Sequence, residues 1–200
     1  MTEDRGQAFP IYIVVVAGLL FAALAFFAFG QAAIVRSNAQ KAADAAALAA
    51  ARDARDTLLV GFNPAEFKET DWKDLLDGRL FDPTMGCASA TTFAEANGAE
   101  VTCVANLPRF TVTATTTRTV GSSVVPGVSD RKGSATAAAV IRPRCQLSLP
   151  DEGNEVPPDE GKTTAIDFTC AGADPIHLDP LHPPTWATLA RSLFSVSLVS

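Results

Sequence analysis

From Gly6 to Val35 the chain carries no charged side chain, and this one feature limits its fold more than any other. Pro10-Ile11-Tyr12-Ile13-Val14-Val15-Val16-Ala17-Gly18-Leu19-Leu20 and the run Phe21 to Ile34 are almost wholly apolar. About 20 apolar residues in helical form match the hydrocarbon thickness of a bilayer. A single membrane-spanning helix is therefore expected over 10–35, behind a cytoplasmic segment over 1–9. Pro10 suits the first helical turn, where its missing N–H costs nothing. No Pro or Gly stands between Gly30 and Gly61, and residues 39–54 are mostly alanine, the best helix former. The span should run on as an Ala-rich helical stalk over 36–60. From Pro10 to about Leu59 the rod would measure roughly 75 Å at about 1.5 Å per residue.

Two rows of the stalk contain alanine only. They are Ala39, Ala43, Ala47 and Ala51, and beside them Ala42, Ala46, Ala50 and Ala54. Residues four apart share a helix face, so these eight make a smooth flank that invites close helix packing against a partner or the chain's own head. Gly18-x3-Ala22 and Ala28-x3-Ala32 offer the same approach inside the membrane. Lys41, Asp44, Arg52, Arg55 and Asp56 take the remaining surface, with Arg52 and Asp56 spaced for a weak pair and Asp56 expected in solvent.

Gln40 and the run Ala42-Ala43-Asp44-Ala45-Ala46-Ala47-Leu48-Ala49-Ala50-Ala51 follow a span introduced by Asp4-Arg5-Gly6-Gln7-Ala8. This combination resembles the tight-adherence (Tad) pilus family, in particular its TadE/TadG-like minor pseudopilins and pilus-assembly proteins. The resemblance implies a membrane-anchored structural component. Its partners would be membrane lipid, other pilin-like subunits and the pilus-assembly platform. Family members that are processed carry Gly before the cut and Glu five residues after it. A cut between Gly6 and Gln7 would put Ile11 at that position, so the family's Glu is absent here.

The net charge of −6 and the lack of a basic run argue against nucleic acid as a partner. Four cysteines, Cys87, Cys103, Cys145 and Cys170, all follow the span, and none forms a C-x-x-C pair. Disulfides in an oxidising compartment fit this set better than zinc. Three connectivities are open, and sequential pairing, Cys87–Cys103 and Cys145–Cys170, closes the shortest loops. The flanking charges point the other way. Arg36, Lys41, Arg52 and Arg55 follow the span, whereas only Arg5 precedes it, beside Glu3 and Asp4. By the positive-inside rule that pattern favours a cytoplasmic head. The cysteines, the short leading segment and the resemblance favour a single-pass protein of the cytoplasmic membrane with its C-terminal domain outside. A signal peptide cut at Gly30–Gln31 is the alternative, but the apolar run is long and its leading segment is not basic.

Beyond residue 60 the pattern reads as α+β, a small antiparallel-sheet head with helices and two disulfides. Asn63-Pro64 marks a helix start leading through Leu76, with Phe67, Trp72, Leu75 and Leu76 on one side and Trp72 expected in the core. Ala88 to Asn97 reads as a second helix, stopped by Gly98. Then the period changes to two: Glu100–Val104, Arg109–Val120, and a third strand carrying Ala135, Ala137, Ala139 and Ile141 up to Pro143. A separate lobe and tail are expected over 144–200, after a head over 61–143. In the lobe, Gln146–Leu149 and Thr163–Thr169 would form a hairpin around the acidic stretch Asp151–Gly161. A short helix through Ala190 and a terminal strand Leu193–Val199 would follow.

Signs of chemistry are few. His177, Asp179 and His182 are zinc-binding types, but histidines five apart in a proline-rich loop match no zinc pattern. No G-x-S-x-G and no phosphate-binding glycine loop is present, nor the D-x-S-x-S arrangement of the adhesive domain in longer Tad-family members. No catalytic residue, metal or cofactor is expected, and no small-molecule substrate. The reading is a non-enzymatic, pseudopilin-like assembly component of a tight-adherence pilus or related secretion system. The alternative is a single-pass anchored extracytoplasmic binding domain outside any filament.

Overall fold

A computed structural model of the chain describes residues 8–63, 66–82, 84, 86–119, 130–148, 166–179, 182 and 184–199. The Gly6–Gln7 bond, Pro64, the Pro126-Gly127 loop and the acidic stretch 151–161 lie outside these residues. Helix α1 (Ala8–Thr57) is one unbroken helix of 50 residues, and Gly30–Gln31 lies within it. It is followed by α2 (Glu69–Leu76), α3 (Cys87–Ala96), β1 (Ala99–Asn106), β2 (Arg109–Thr119) and β3 (Lys132–Pro143). Then come β4 (Cys145–Leu147), β5 (Ile166–Cys170), β6 (Ile176–Leu178), α4 (Trp186–Leu193) and β7 (Phe194–Val199).

Four strands form an antiparallel sheet in the order β1-β2-β3-β7. Alternation decides its two faces. Phe110, Val112, Ala114, Ala137, Ala139 and Ile141 are buried on the side that meets α1. The opposite side carries Thr102, Thr113, Thr136 and Ser134 in solvent, with the Thr113 and Thr136 hydroxyls 2.9 Å apart. One dry face and one wet face are usual for an antiparallel sheet. Helices α3 and α4 pack beside α1 on the dry face. The result is a two-layer sandwich.

The largest difference from the sequence reading concerns the stalk. Residues 39–54 of α1 do not stand free between membrane and head, because they are the central helix of the head's core. Ala39, Ala42, Ala43, Ala46, Ala47, Ala50 and Ala51 are all fully buried, and Ala54 nearly so. The physical reason is size matching. Alanines on the helix meet alanines on β2 and β3, so helix and sheet approach closely and exclude water.

A second sheet, β4-β5-β6, is antiparallel and small. Its Phe168 is fully buried and stacks edge-on against Trp72 of α2, centroids 5.4 Å apart. Trp72 is core, although its Nε1–H finds no acceptor among the described residues. Both disulfides pair sequentially: Cys87–Cys103 ties α3 to β1, and Cys145–Cys170 closes the β4–β5 pair. The boundary drawn at residue 143 does not separate two units. Strand β7 completes the main sheet beside β3, and α4 lies on α1. Helix α2 also begins later than Asn63-Pro64 suggests, at Glu69, where the Asp71 carboxylate accepts the Lys68 N–H at 2.8 Å.

Candidate functional site

Two parts of α1 differ sharply in their surroundings. Over its apolar half, short of Val35, the helix is left uncovered by the other described residues. Mean hydropathy there reaches 2.7 across an 18-residue window, none of which is buried. Side chains such as Ile11, Leu19, Phe21 and Phe26 stand free. A Cβ added at Gly18 or Gly30 would meet no atom within 4 Å. Such a surface is stable in lipid or against other apolar helices, and costly in water. The chain thus has one N-terminal helix long and apolar enough to span a membrane.

The second part is the alanine flank, and the head occupies it. Gly86, at the start of α3, has φ +91° and presses on the Ala50 carbonyl so closely that a side chain would collide with it. At the end of the apolar run, a Cβ on Gly133 would lie 2.5 Å from the Val35 carbonyl oxygen. Contact between helix and head therefore begins at Val35, at the end of the apolar run. No free stalk separates the two. The sequence singled out the eight alanines, and the structure brings them together on one buried surface inside the chain.

Asp56 was missed as a structural residue. Arg191 of α4 donates to its Oδ2 from Nη2 at 2.6 Å and from Nε at 3.1 Å. Arg55 Nε donates to the other oxygen at 2.8 Å. Partial burial disfavours the charged carboxylate, but the hydrogen bonds and charges of Arg191 and Arg55 outweigh that, and its pKa falls below the ordinary value. The expected Arg52–Asp56 pair gives way to these partners. Sequence offered no signal for Arg191, which lies 135 residues away.

On the outer side of α1, an open groove of about 420 Å³ runs between α1 and α3, lined by Leu48, Arg52, Ser89 and the half-exposed Phe93. The residues weighed for zinc form two separate pairs. His177 Nδ1 lies 2.6 Å from Asp167 Oδ1, and His182 Nδ1 lies 3.0 Å from Asp179 Oδ2. Among the described residues no three metal-binding side chains come together.

Comparison with known proteins adds one match. Residues 6–53 match the family described as putative Flp pilus-assembly TadE/G-like. The matched residues cover the span and nearly all of the alanine flank. No curated protein and no solved structure matches the chain. The family match and an N-terminal helix long and apolar enough to span a membrane support a component associated with a Tad pilus.

Proposed function

We propose that this chain is a membrane-anchored, pseudopilin-like structural component of a tight-adherence pilus, and not an enzyme. One observation carries the reading: the family match over 6–53 falls on a continuous helix whose apolar half is left bare. Since the head covers the alanine flank, the surface available to other pilin-like subunits and the assembly platform is the span itself. Gly18 and Ala22, then Ala28 and Ala32, give it two small-residue pairs where another helix can approach closely. The disulfide-held head lies outside the cytoplasm in this reading, where both bridges are stable.

Gly18→Leu tests it cleanly, because a Cβ there meets no atom of the described residues within 4 Å. Overpacking a close helix contact costs about 1–3 kcal/mol, so pilus assembly, or crosslinking to partner subunits, should fall roughly five-fold or more. The melting temperature of the head should stay unchanged. Wild-type assembly by Gly18→Leu and by Ala28→Leu would reject subunit packing through the span. A second reading then leads, that of an anchored extracytoplasmic binding domain outside any filament. Its support is that the alanine flank already has its occupant within the chain.

A further inference from the structure

The point where α1 leaves its apolar run is also the point where the head begins, and the side chains gathered there are cationic. From Phe9 to Val35 the helix rises roughly 40 Å at about 1.5 Å per residue, close to the 40–45 Å of a bilayer with its headgroups. Val35 and Arg36 therefore fall at headgroup level. Gly133 of β3 is in contact with the Val35 backbone, which holds the β2–β3 end of the sheet at the same level.

Four cations occupy this end. Arg36 precedes Ala43 by seven residues, two helical turns, so it lies on the head-facing side of α1, just below the sheet. Arg131 and Lys132 lead into Gly133, and Lys132 pairs in register with Thr119. Arg118 is held next to them: the Gly133 N–H donates to the Thr116 hydroxyl at 2.9 Å, and that hydroxyl donates to the Arg118 carbonyl at 2.8 Å. All four side chains are exposed, and none has a hydrogen bond or ion pair among the described residues. The carboxylates at this end, Asp130, Glu95 and Glu100, are exposed and bonded to none of the four. Residues 120–129, which join β2 to β3, contain no Asp or Glu.

We infer that this end of the head rests on the membrane surface and binds anionic phospholipid headgroups through Arg36, Arg118, Arg131 and Lys132. The inference rests on the anchored reading of α1, and it holds for whichever leaflet the head faces. A guanidinium or ammonium group at an anionic membrane surface is worth roughly a five-fold preference. Two contact points, the helix at Arg36 and the sheet end at the other three, would fix the tilt of the head as well as its height. Salt should weaken the preference, since these charges are exposed.

The test uses the full-length protein in nanodiscs of mixed zwitterionic phosphatidylcholine and anionic phosphatidylglycerol. The lipids retained on gentle release into detergent are counted by native mass spectrometry. Wild type should retain phosphatidylglycerol in excess of its share, and the excess should shrink at high salt. The variant Arg118→Gln, Arg131→Gln, Lys132→Gln should lose that excess on the order of a hundred-fold. The distal variant Arg109→Gln, Arg142→Gln, Arg144→Gln removes as much charge and should behave as wild type. Equal retention of the two lipids by wild type, or equal loss in both variants, overturns the inference. Failure of the wild type to enter nanodiscs at all would overturn the anchor itself.

Discussion

Arg191 and Asp56 join the last helix of the chain to the end of the first, with two nitrogens of one guanidinium on one carboxylate oxygen. Because the folded state lowers the Asp56 pKa below its ordinary 3.8, the carboxylate stabilises the fold wherever it is charged. That contribution is complete above the unfolded pKa and is lost as pH falls through the folded one. Asp56→Asn should therefore be less stable than wild type at neutral pH, by a constant margin down to about pH 5. Below roughly pH 4 the two melting curves should converge. A margin that persists unchanged at pH 2 would exclude the ion pair as its source.

The buried alanine flank makes a second expectation. Ala46→Leu and Ala50→Leu keep helix propensity nearly unchanged, yet each forces three extra carbons into a closed helix–sheet contact. Each should destabilise the head by about 1–3 kcal/mol, seen as a lower melting temperature in detergent. Lys41→Leu places the same leucine on the exposed side of α1 and should melt as wild type does. Asp56→Leu is no neutral control, since it removes the Arg191 pair. Unchanged melting in both alanine variants would mean that the helix–sheet contact is looser than described.

At Gly86 two penalties coincide. The residue has positive φ, and an added methyl would meet the Ala50 carbonyl. Gly86→Ala should cost more than about 1 kcal/mol and loosen α3 from α1. Hydrogen exchange at the α3 amides should rise well before global unfolding. Exchange rates equal to wild type would refute this contact as the pin of α3.

Both disulfides should be present in protein taken from native membranes. Alkylation without prior reduction, followed by intact-mass measurement, should add no label, and four labels should appear after reduction. A head shielded from protease outside intact cells stripped of their wall, together with free thiols, would overturn the extracytoplasmic placement.

Much of the architecture was legible in the sequence because its periods are clear. The change to period two at Glu100 locates three of the main strands, and the uncharged run from Gly6 locates the span. What could not be read was which surface meets which. Alanine rows announce a close approach without naming the occupant, so Ala46 fitted a neighbouring subunit as well as the chain's own β3. Strand β7 was expected over Leu193–Val199, but one strand alone says nothing of its pairing, and its place beside β3 came only from the register. Ile176-His177-Leu178 went unread as β6 because the four residues between Pro175 and Pro180 are too few to show a period. The start of α2 was misplaced because Pro64 gave a stronger local signal than Lys68 and Asp71, whose backbone-to-carboxylate bond precedes the helix.

The place of β7 at the edge of the main sheet has a consequence for the order in which the protein is made. Helix α1 leaves the ribosome before the strands it packs on and can enter a membrane while they are still unwritten. Its alanine flank then has nothing to lie on until β2 and β3 emerge, and the sheet stays one strand short until Phe194–Val199 follows. A chain released before that point would hold an anchored helix, two bridgeable cysteine pairs and an open sheet edge at β3. Such a product leaves a row of unpaired backbone groups on β3, the kind of open edge that other chains can join and that β7 otherwise covers.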